Sequence, residues 1–479
     1  MPDHTTEDNN SELVSVCRSN TELRSLLRSL RPAARQLQQL RTPDVLQVLD
    51  QLARLWQPGT AYFQEATELL TGPFSRTAIE GALTNLASSL NSDVILAELT
   101  RELGRSDLLD AWQADEHGVG RVRGFPLGIV AHVLAGNVFM NGVVGLAQCL
   151  LTRNAALLKL SRRDAGMTAL FVRSLRQADT RGIIASAVQV CVWDSSQDTM
   201  NQVLREEADG IVVWGGEQAI SAFPANSCRG RVIGYGPRLG IGFILEGATL
   251  NDELPAMAWD IALWEQQACS SPRIVFVEDR NRDGTFPRQV AERLSAELLT
   301  ICDTIPPRKL SLDDKSEVLA IRENAYWNDQ AEPFTSANDM HQTVLLTETL
   351  PSEIPVGYRT VLVIPMCAFE RIQDTLEPFR RLLQTAVLAA PLERWPEATA
   401  TLARAGLTQI VATGSAASRF LGLPHEGEYA LRRLITLVGI DFGQGALTYP
   451  DRPSMGDLPA DPPRAHRDGG CEPLSESGD

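Results

Sequence analysis

From about Glu12 to Trp56 apolar residues recur at three- and four-residue intervals: Leu23, Leu26, Leu27 and Leu30, then Leu37, Leu40, Val45, Leu49 and Leu52. That is the period of a helix with one buried face. A second helical stretch is predicted from about Arg76 to Leu103, so the first quarter of the chain reads as helical. After Gly124 the rhythm changes to short β-rich runs alternating with helical ones. The runs Gly128–Leu134, Ala155–Leu160, Val188–Trp193, Gly210–Trp214, Arg231–Ile233 and Ile241–Leu245 are strand candidates. Strand, helix, strand at this spacing predicts parallel β units with right-handed crossovers. A second series follows: Arg273–Glu278, Thr343–Leu346, Thr360–Ile364, Thr385–Ala389 and Thr408–Val411, separated by amphipathic segments such as Phe286–Leu299. It predicts a second α/β domain.

With 479 residues, 44% hydrophobic and 22% charged, the chain can bury a sizeable core, and a length prior of roughly 150 residues per domain gives two or three domains. No run approaches the ~18 to 20 uninterrupted apolar residues of a membrane helix. The polar, acidic start MPDHTTEDNN lacks the basic and then apolar order of a signal peptide, so the expectation is a cytoplasmic protein. The formal charge of −16, with basic residues dispersed, argues against a nucleic-acid partner. Eight cysteines are scattered with no CxxC pair and no metal-ligand spacing; free thiols are expected, and no metal. The stretch from Tyr449 onward is rich in Pro, Asp and Gly, has almost nothing to bury, and reads as a disordered tail.

Four segments could carry chemistry. Cys269 lies in WEQQACSSPRIVF, a helix-like stretch that stops at Ser270-Ser271-Pro272 immediately before a strand. A thiol at such a junction can sit in a cleft between domains, although most single cysteines are inert core residues. In Leu134-Ala135-Gly136-Asn137-Val138-Phe139 an apolar strand ends in a Gly-Asn turn. Asn137 there can either present its amide to a thioester oxygen or cap the next helix. In LLKLSRRD a strand ends at Lys159 and a polar turn, where open α/β sheets bind ligands; solvated turn charge is the alternative. Gly215 and Gly216 follow the strand Gly210–Trp214 and allow close backbone approach by a cofactor, or simply a tight turn. The run Gly234-Tyr235-Gly236-Pro237-Arg238-Leu239-Gly240 is not a dinucleotide fingerprint: its spacing is GxGxxxG, and a strand follows where a helix is required.

Taken in order, GFPLGIVAHVLAGNVF, LLKLSRRD, DGIVVWGGEQAI and QQACSSPR resemble the aldehyde dehydrogenase superfamily. More closely they resemble its LuxC-type acyl-CoA reductases, the fatty-aldehyde-forming branch known from bacterial bioluminescence. PHEG at Pro424–Gly427 is similar to that branch's C-terminal region. The resemblance implies an α/β fold of aldehyde-dehydrogenase type. Its implied parts are a helical N-terminal region over 1–120 belonging to the cofactor domain, a Rossmann-like NAD(P)-binding domain over 121–246, a catalytic domain over 247–430 and a return segment over 431–448. By the same resemblance Cys269 is the nucleophile, Asn137 the oxyanion donor, Lys159 a cofactor-ribose ligand, and Gly215 and Gly216 the turn near the nicotinamide. Ser161, Arg162 and Arg163 occupy the place where an acidic residue would repel a 2′-phosphate, which favours NADPH, with NADH the alternative. His425 in PHEG either lines the substrate channel, assists proton transfer, or only packs.

One departure matters. Oxidising members of the superfamily carry a glutamate, some thirty residues before the cysteine, that activates water; here the comparable place reads GYGPRLG, with no carboxylate. A thioester intermediate without a base for water survives until hydride or another thiol attacks it. The expected reaction is therefore reduction of an acyl-CoA or acyl-carrier-protein thioester to the aldehyde through a Cys269 thioester. NAD-dependent aldehyde oxidation, redox-free acyl transfer through Cys269, and a silent carrier-docking scaffold are the rivals. A carrier protein would need a basic patch, for which Arg371, Arg380 and Arg381 are candidates, and the resemblance implies a homo-oligomer.

Overall fold

The computed structural model describes residues 13–114, 120–136, 139–161, 166–194, 197–327, 331–336, 340–350, 354, 357–417 and 423–441. Its strands, in chain order, are β1 Val14–Val16, β2 Gln113–Ala114, β3 Gly120–Pro126, β4 Ile129–Val133, β5 Ala155–Lys159, β6 Val188–Val192, β7 Gly210–Trp214 and β8 Arg231–Tyr235. They continue as β9 Leu239–Ile244, β10 Pro272–Glu278, β11 Ala331–Phe334, β12 Thr343–Thr347, β13 Thr360–Met366, β14 Leu383–Ala389, β15 Gln409–Ala412 and β16 Ile435–Asp441. Three sheets result. The first, in the order β1-β6-β5-β4-β7-β8, is parallel throughout. The second, β11-β12-β13-β10-β9-β14-β15, is parallel except for its edge strand β11. A small antiparallel sheet joins β16, β3 and β2.

Parallel strands covered on both faces need apolar side chains in both directions, so they read as continuous hydrophobic runs. Every residue of β5 and of β9 is buried, which is why these strands were visible without alternation. In the first sheet β5 and β6 lie to one side of β4, and β7 and β8 to the other. The chain thus reverses its direction of growth at β4. Crevices at such a switch point, outside the carboxyl ends of the strands, are where open α/β sheets bind ligands.

The N-terminal quarter is more broken than its periodicity predicts. Val14–Val16 is not helix but an edge strand parallel to β6. The first helix runs Asn20–Leu37 and is capped by Ser19, whose hydroxyl accepts from the Glu22 N–H at 3.3 Å. The next, Thr42–Leu55, begins on a proline-bearing first turn. Likewise Arg76–Leu103 is two helices, Arg76–Ser89 and Ser92–Leu103, the second capped by Asn91 accepting from the Asp93 N–H at 3.0 Å. A break of two to four residues leaves the apolar period almost intact, so only the caps mark it. These helices cover the first sheet. Trp56, fully buried, packs on Phe171 with ring centroids 5.7 Å apart and donates its indole N–H to Ser174 at 2.9 Å.

The GYGPRLG run joins the two large sheets, leaving β8 at Tyr235 and entering β9 at Leu239. Its last glycine, Gly240, permits a close backbone approach. A Cβ on Gly240 would lie 2.5 Å from the Ser270 carbonyl oxygen and 2.6 Å from that of Ser271. The segment carrying Cys269 can therefore lie directly against the start of β9.

Candidate active site

Between the first two sheets lies a cleft of about 590 Å³ whose lining includes Gly136, Gly215, Cys269, Arg273, Gln384 and His425. The segments after β4 and after β7, at the switch point, form one wall. The opposite wall comes from the amino-terminal ends of the second sheet, where β10 and β14 begin.

Cys269 is held there by an unusual piece of backbone. The expected helix through WEQQ does not extend that far: it ends at Ala262, and Trp264, Glu265 and Gln266 all have positive φ, at 61°, 51° and 56°. Left-handed backbone costs a non-glycine residue about 1–2 kcal/mol, so three in succession require compensation. Glu265 forms a buried ion pair with Arg359 at 2.7 Å. The Gln266 amide donates to the carbonyls of Pro272 at 2.9 Å and Thr360 at 3.0 Å, and its oxygen accepts from the Thr360 N–H at 3.0 Å. The Trp264 ring meets Phe74 and Phe139 edge-on, at 5.7 and 5.5 Å. The three residues are thereby fastened to the start of β13 and to the N-terminal half, and Cys269 follows them into the cleft.

The Cys269 thiol is half-buried, and its environment pulls in two directions. Burial pushes its pKa up, and the Glu426 carboxylate adds to the rise; a hydrogen bond from Gln384, its own backbone N–H and the Arg273 guanidinium act the other way. Arg273, whose own pKa burial lowers, has no ion-pair partner among the described residues. His425 sits on Tyr235, rings 4.8 Å apart and nearly perpendicular, and Tyr235 stacks on Trp214 at 4.2 Å. The His425 Nε2 lies 3.4 Å from the Gln384 amide nitrogen. Burial lowers the pKa of His425, favouring the neutral ring. Burial likewise raises Tyr235 to about 12.

At the other end of the cleft Gly215 and Gly216 turn the chain from β7 into the short helix Glu217–Ser221. A Cβ on Gly215 would press on Ala219 at 3.1 Å, whereas one on Gly216 would meet nothing within 4 Å. Lys159, the last residue of β5, is buried with its ammonium 5.6 Å from the centre of the Trp193 ring. Ser161 follows it, half-buried. Asn137, Arg162 and Arg163 lie outside the described residues, as do residues 1–12 and the segment from 442 onward.

Several residues of this cleft escaped the sequence reading. Glu426, adjacent to His425, brings a carboxylate into the cleft, and it is ion-paired with Arg238 from the β8–β9 connection. Both sit inside motifs already noticed, PHEG and GYGPRLG, yet nothing in either run says that the two would meet. Gln384, in an ordinary apolar strand, gave no signal.

Residues 37–437 match the family described as acyl-CoA reductase (LuxC). The long-chain acyl-protein thioester reductase of Photobacterium phosphoreum is 26% identical over 70% of this chain and 67% of its own length. That of Vibrio harveyi is 29% identical, with 45% of this chain and 44% of that protein aligned, so the match spans less than half of that relative. Among solved structures, the glyceraldehyde-3-phosphate dehydrogenase GapN of Methanocaldococcus jannaschii, complexed with NADP, superposes with a TM-score of 0.65 at 12% identity, covering 89% of this chain and 95% of that one. The two parallel sheets with a cysteine-bearing cleft between them are thus an aldehyde-dehydrogenase-like fold, and this chain belongs to the LuxC acyl-CoA reductase family.

Proposed function

We propose that this protein reduces an acyl thioester, carried by CoA or by an acyl carrier protein, to the aldehyde through a thioester on Cys269. The observation that carries the reading is the position of Cys269: a thiol lining the cleft between the sheets together with the glycine turn at the switch point and with Arg273 and Gln384. In the first step the Cys269 sulfur attacks the acyl carbonyl, the carbon–sulfur bond to the donor breaks, and the thiol proton ends on the departing thiol. The Cys269 N–H, together with Asn137 as the resemblance implies, holds the oxyanion. The same donors serve when the acyl-enzyme is reduced and the Cys269 thiolate is expelled.

The residues present fit a nicotinamide dinucleotide. The space beyond Gly216 is open where a side chain would otherwise project, which suits close approach of a ligand to the backbone. Lys159, Ser161, Gly215 and Gly216 would hold it, with Arg162 pairing a 2′-phosphate and so favouring NADPH over NADH. When bound, the cofactor supplies the hydride that reduces the acyl carbonyl. His425 forms part of the acyl channel wall. The donor and a homo-oligomeric assembly belong to the same proposal.

The competing fate of the acyl-enzyme, hydrolysis as in aldehyde oxidation, has one residue in its favour, Glu426. Its carboxylate is engaged by Arg238, which ties it to a guanidinium and away from the role of base for water.

The test is anaerobic incubation with a panel of acyl-CoAs and NADPH or NADH, with aldehyde trapping, beside Cys269→Ala. Aldehyde from the wild type alone supports the reductase. Acylated Cys269 by intact mass with no cofactor consumed supports acyl transfer. Aldehyde-dependent NAD(P)H formation with release of free acid supports oxidation.

A further inference from the structure

Nothing in the family resemblance gives Gln384 a role, yet its surroundings are those of a working group. It is the second residue of β14, 3% exposed, and lines the cleft beside Cys269. Its amide nitrogen stands 3.4 Å from the His425 Nε2. Its oxygen has no hydrogen-bond partner, and neither has the Nδ1 of His425. A glutamine kept for packing would satisfy both ends, because a bare buried carbonyl costs free energy. This amide is instead oriented by its nitrogen end.

We propose that Gln384 is a catalytic residue: it lines the same cleft as Cys269, its amide nitrogen stands 3.4 Å from the His425 Nε2, and one of its N–H groups stabilises the Cys269 thiolate. This assignment rests on Cys269 being the nucleophile of the proposed reaction. A primary amide nitrogen has two N–H groups in one plane. A neutral His425 ring accepts one of them at Nε2, and in this assignment the second serves the sulfur. His425 is then a positioning residue, acting through Gln384 and not on the substrate. The thiolate forms before attack on the donor thioester and is released again when the aldehyde departs, so the same N–H assists entry and exit. No atom is transferred through Gln384; the thiol proton passes to solvent when the thiolate forms, and the departing thiolate takes one up from solvent.

Besides the Cys269 backbone N–H, Gln384 is the neutral group that favours the Cys269 thiolate. Of the charged groups around Cys269, Glu426 opposes ionisation and Arg273 favours it, while Arg238 is occupied by Glu426. Among the described residues none contributes a general base in contact with the sulfur, so ionisation must come from donors that prefer the anion.

The experiment follows alkylation of Cys269 by iodoacetamide in the full chain, read by peptide mass from pH 6 to 10.5. The proteins are wild type, Gln384→Leu, Gln384→Glu and His425→Phe. Loss of one hydrogen bond to a charged group corresponds to about a tenfold change in the thiolate population. Gln384→Leu is expected to react about tenfold more slowly at pH 7 and equally fast at the high-pH plateau. Gln384→Glu, of the same shape, is expected to shift the curve upward as well, and His425→Phe to shift it less. An unchanged midpoint in both Gln384 variants overturns the proposal, as does a loss equal at every pH, which marks a change of access only. Acyl-CoA reduction by the wild type is measured in parallel. If it fails while the alkylation curves shift, the reductase reading falls and the role of Gln384 at the thiol stands; if it succeeds while the curves coincide, only the role of Gln384 falls.

Discussion

Replacing Arg359 by methionine tests how the left-handed turn before Cys269 is maintained. Arg359 is 0% exposed and Glu265 5%, and the guanidinium also donates to the Ile305 carbonyl at 2.8 Å and contacts the Cys302 sulfur at 3.3 Å. Removing one partner of a buried pair leaves an uncompensated charge, at a cost of about 3–5 kcal/mol. That is comparable with the ~3–6 kcal/mol by which three left-handed residues are disfavoured, so the turn should open locally. The assay is hydrogen exchange of the peptide spanning Trp264 to Ser271, with acylation of Cys269 followed by mass. Each 1.36 kcal/mol is a factor of ten, so Arg359→Met should accelerate exchange there by about a hundredfold or more and slow acylation. In Arg359→Met/Glu265→Leu the stranded carboxylate is gone, and most of the loss should return, save about 1 kcal/mol for the hydrogen bond to Ile305. Exchange within about threefold of wild type in the single variant would refute the clamp. A double variant as damaged as the single one would refute the unpaired charge as its cause.

Gly240→Ala should displace the Cys269 segment, because its Cβ would meet backbone oxygens at 2.5 and 2.6 Å that no rotamer change can move; acylation should fall at least tenfold while circular dichroism stays that of the wild type, and unchanged acylation would show that β9 yields instead. Asp260 accepts from the Gly414 and Ala416 N–H groups at 2.6 and 3.0 Å, and burial raises its pKa from the ordinary 3.8 to about 7. Folding then takes up a proton between those two values, so its contribution to stability falls as pH rises from about 4 to about 7 and is constant above. The wild type should lose that increment of stability over this window relative to Asp260→Asn, measured as denaturant midpoints at each pH; parallel profiles would exclude it.

The candidate site residues divide into those that could be read along the chain and those that could not. Cys269, Lys159, Gly215 and Gly216 each stand at the end of an apolar strand or helix-like run, and a strand end is a position that local pattern marks. Gln384, Glu426 and Arg238 are polar residues whose meaning lies in their neighbours. Gln384 and His425 are separated by 41 residues, and Arg238 and Glu426 by 188. The residues Trp264-Glu265-Gln266 suit a helix by type; their left-handed form is imposed by Arg359 and Thr360, some 94 residues on.

By itself the sequence determined the parallel α/β class and most strand positions, because buried parallel strands need unbroken apolar runs. Only the tertiary structure decided where the helical breaks fall, which carboxylate enters the cleft, and what surrounds the sulfur. Those depend on hydrogen bonds and ion pairs between segments far apart in sequence, and the partners of a buried polar group are fixed by the packing of the elements that carry it.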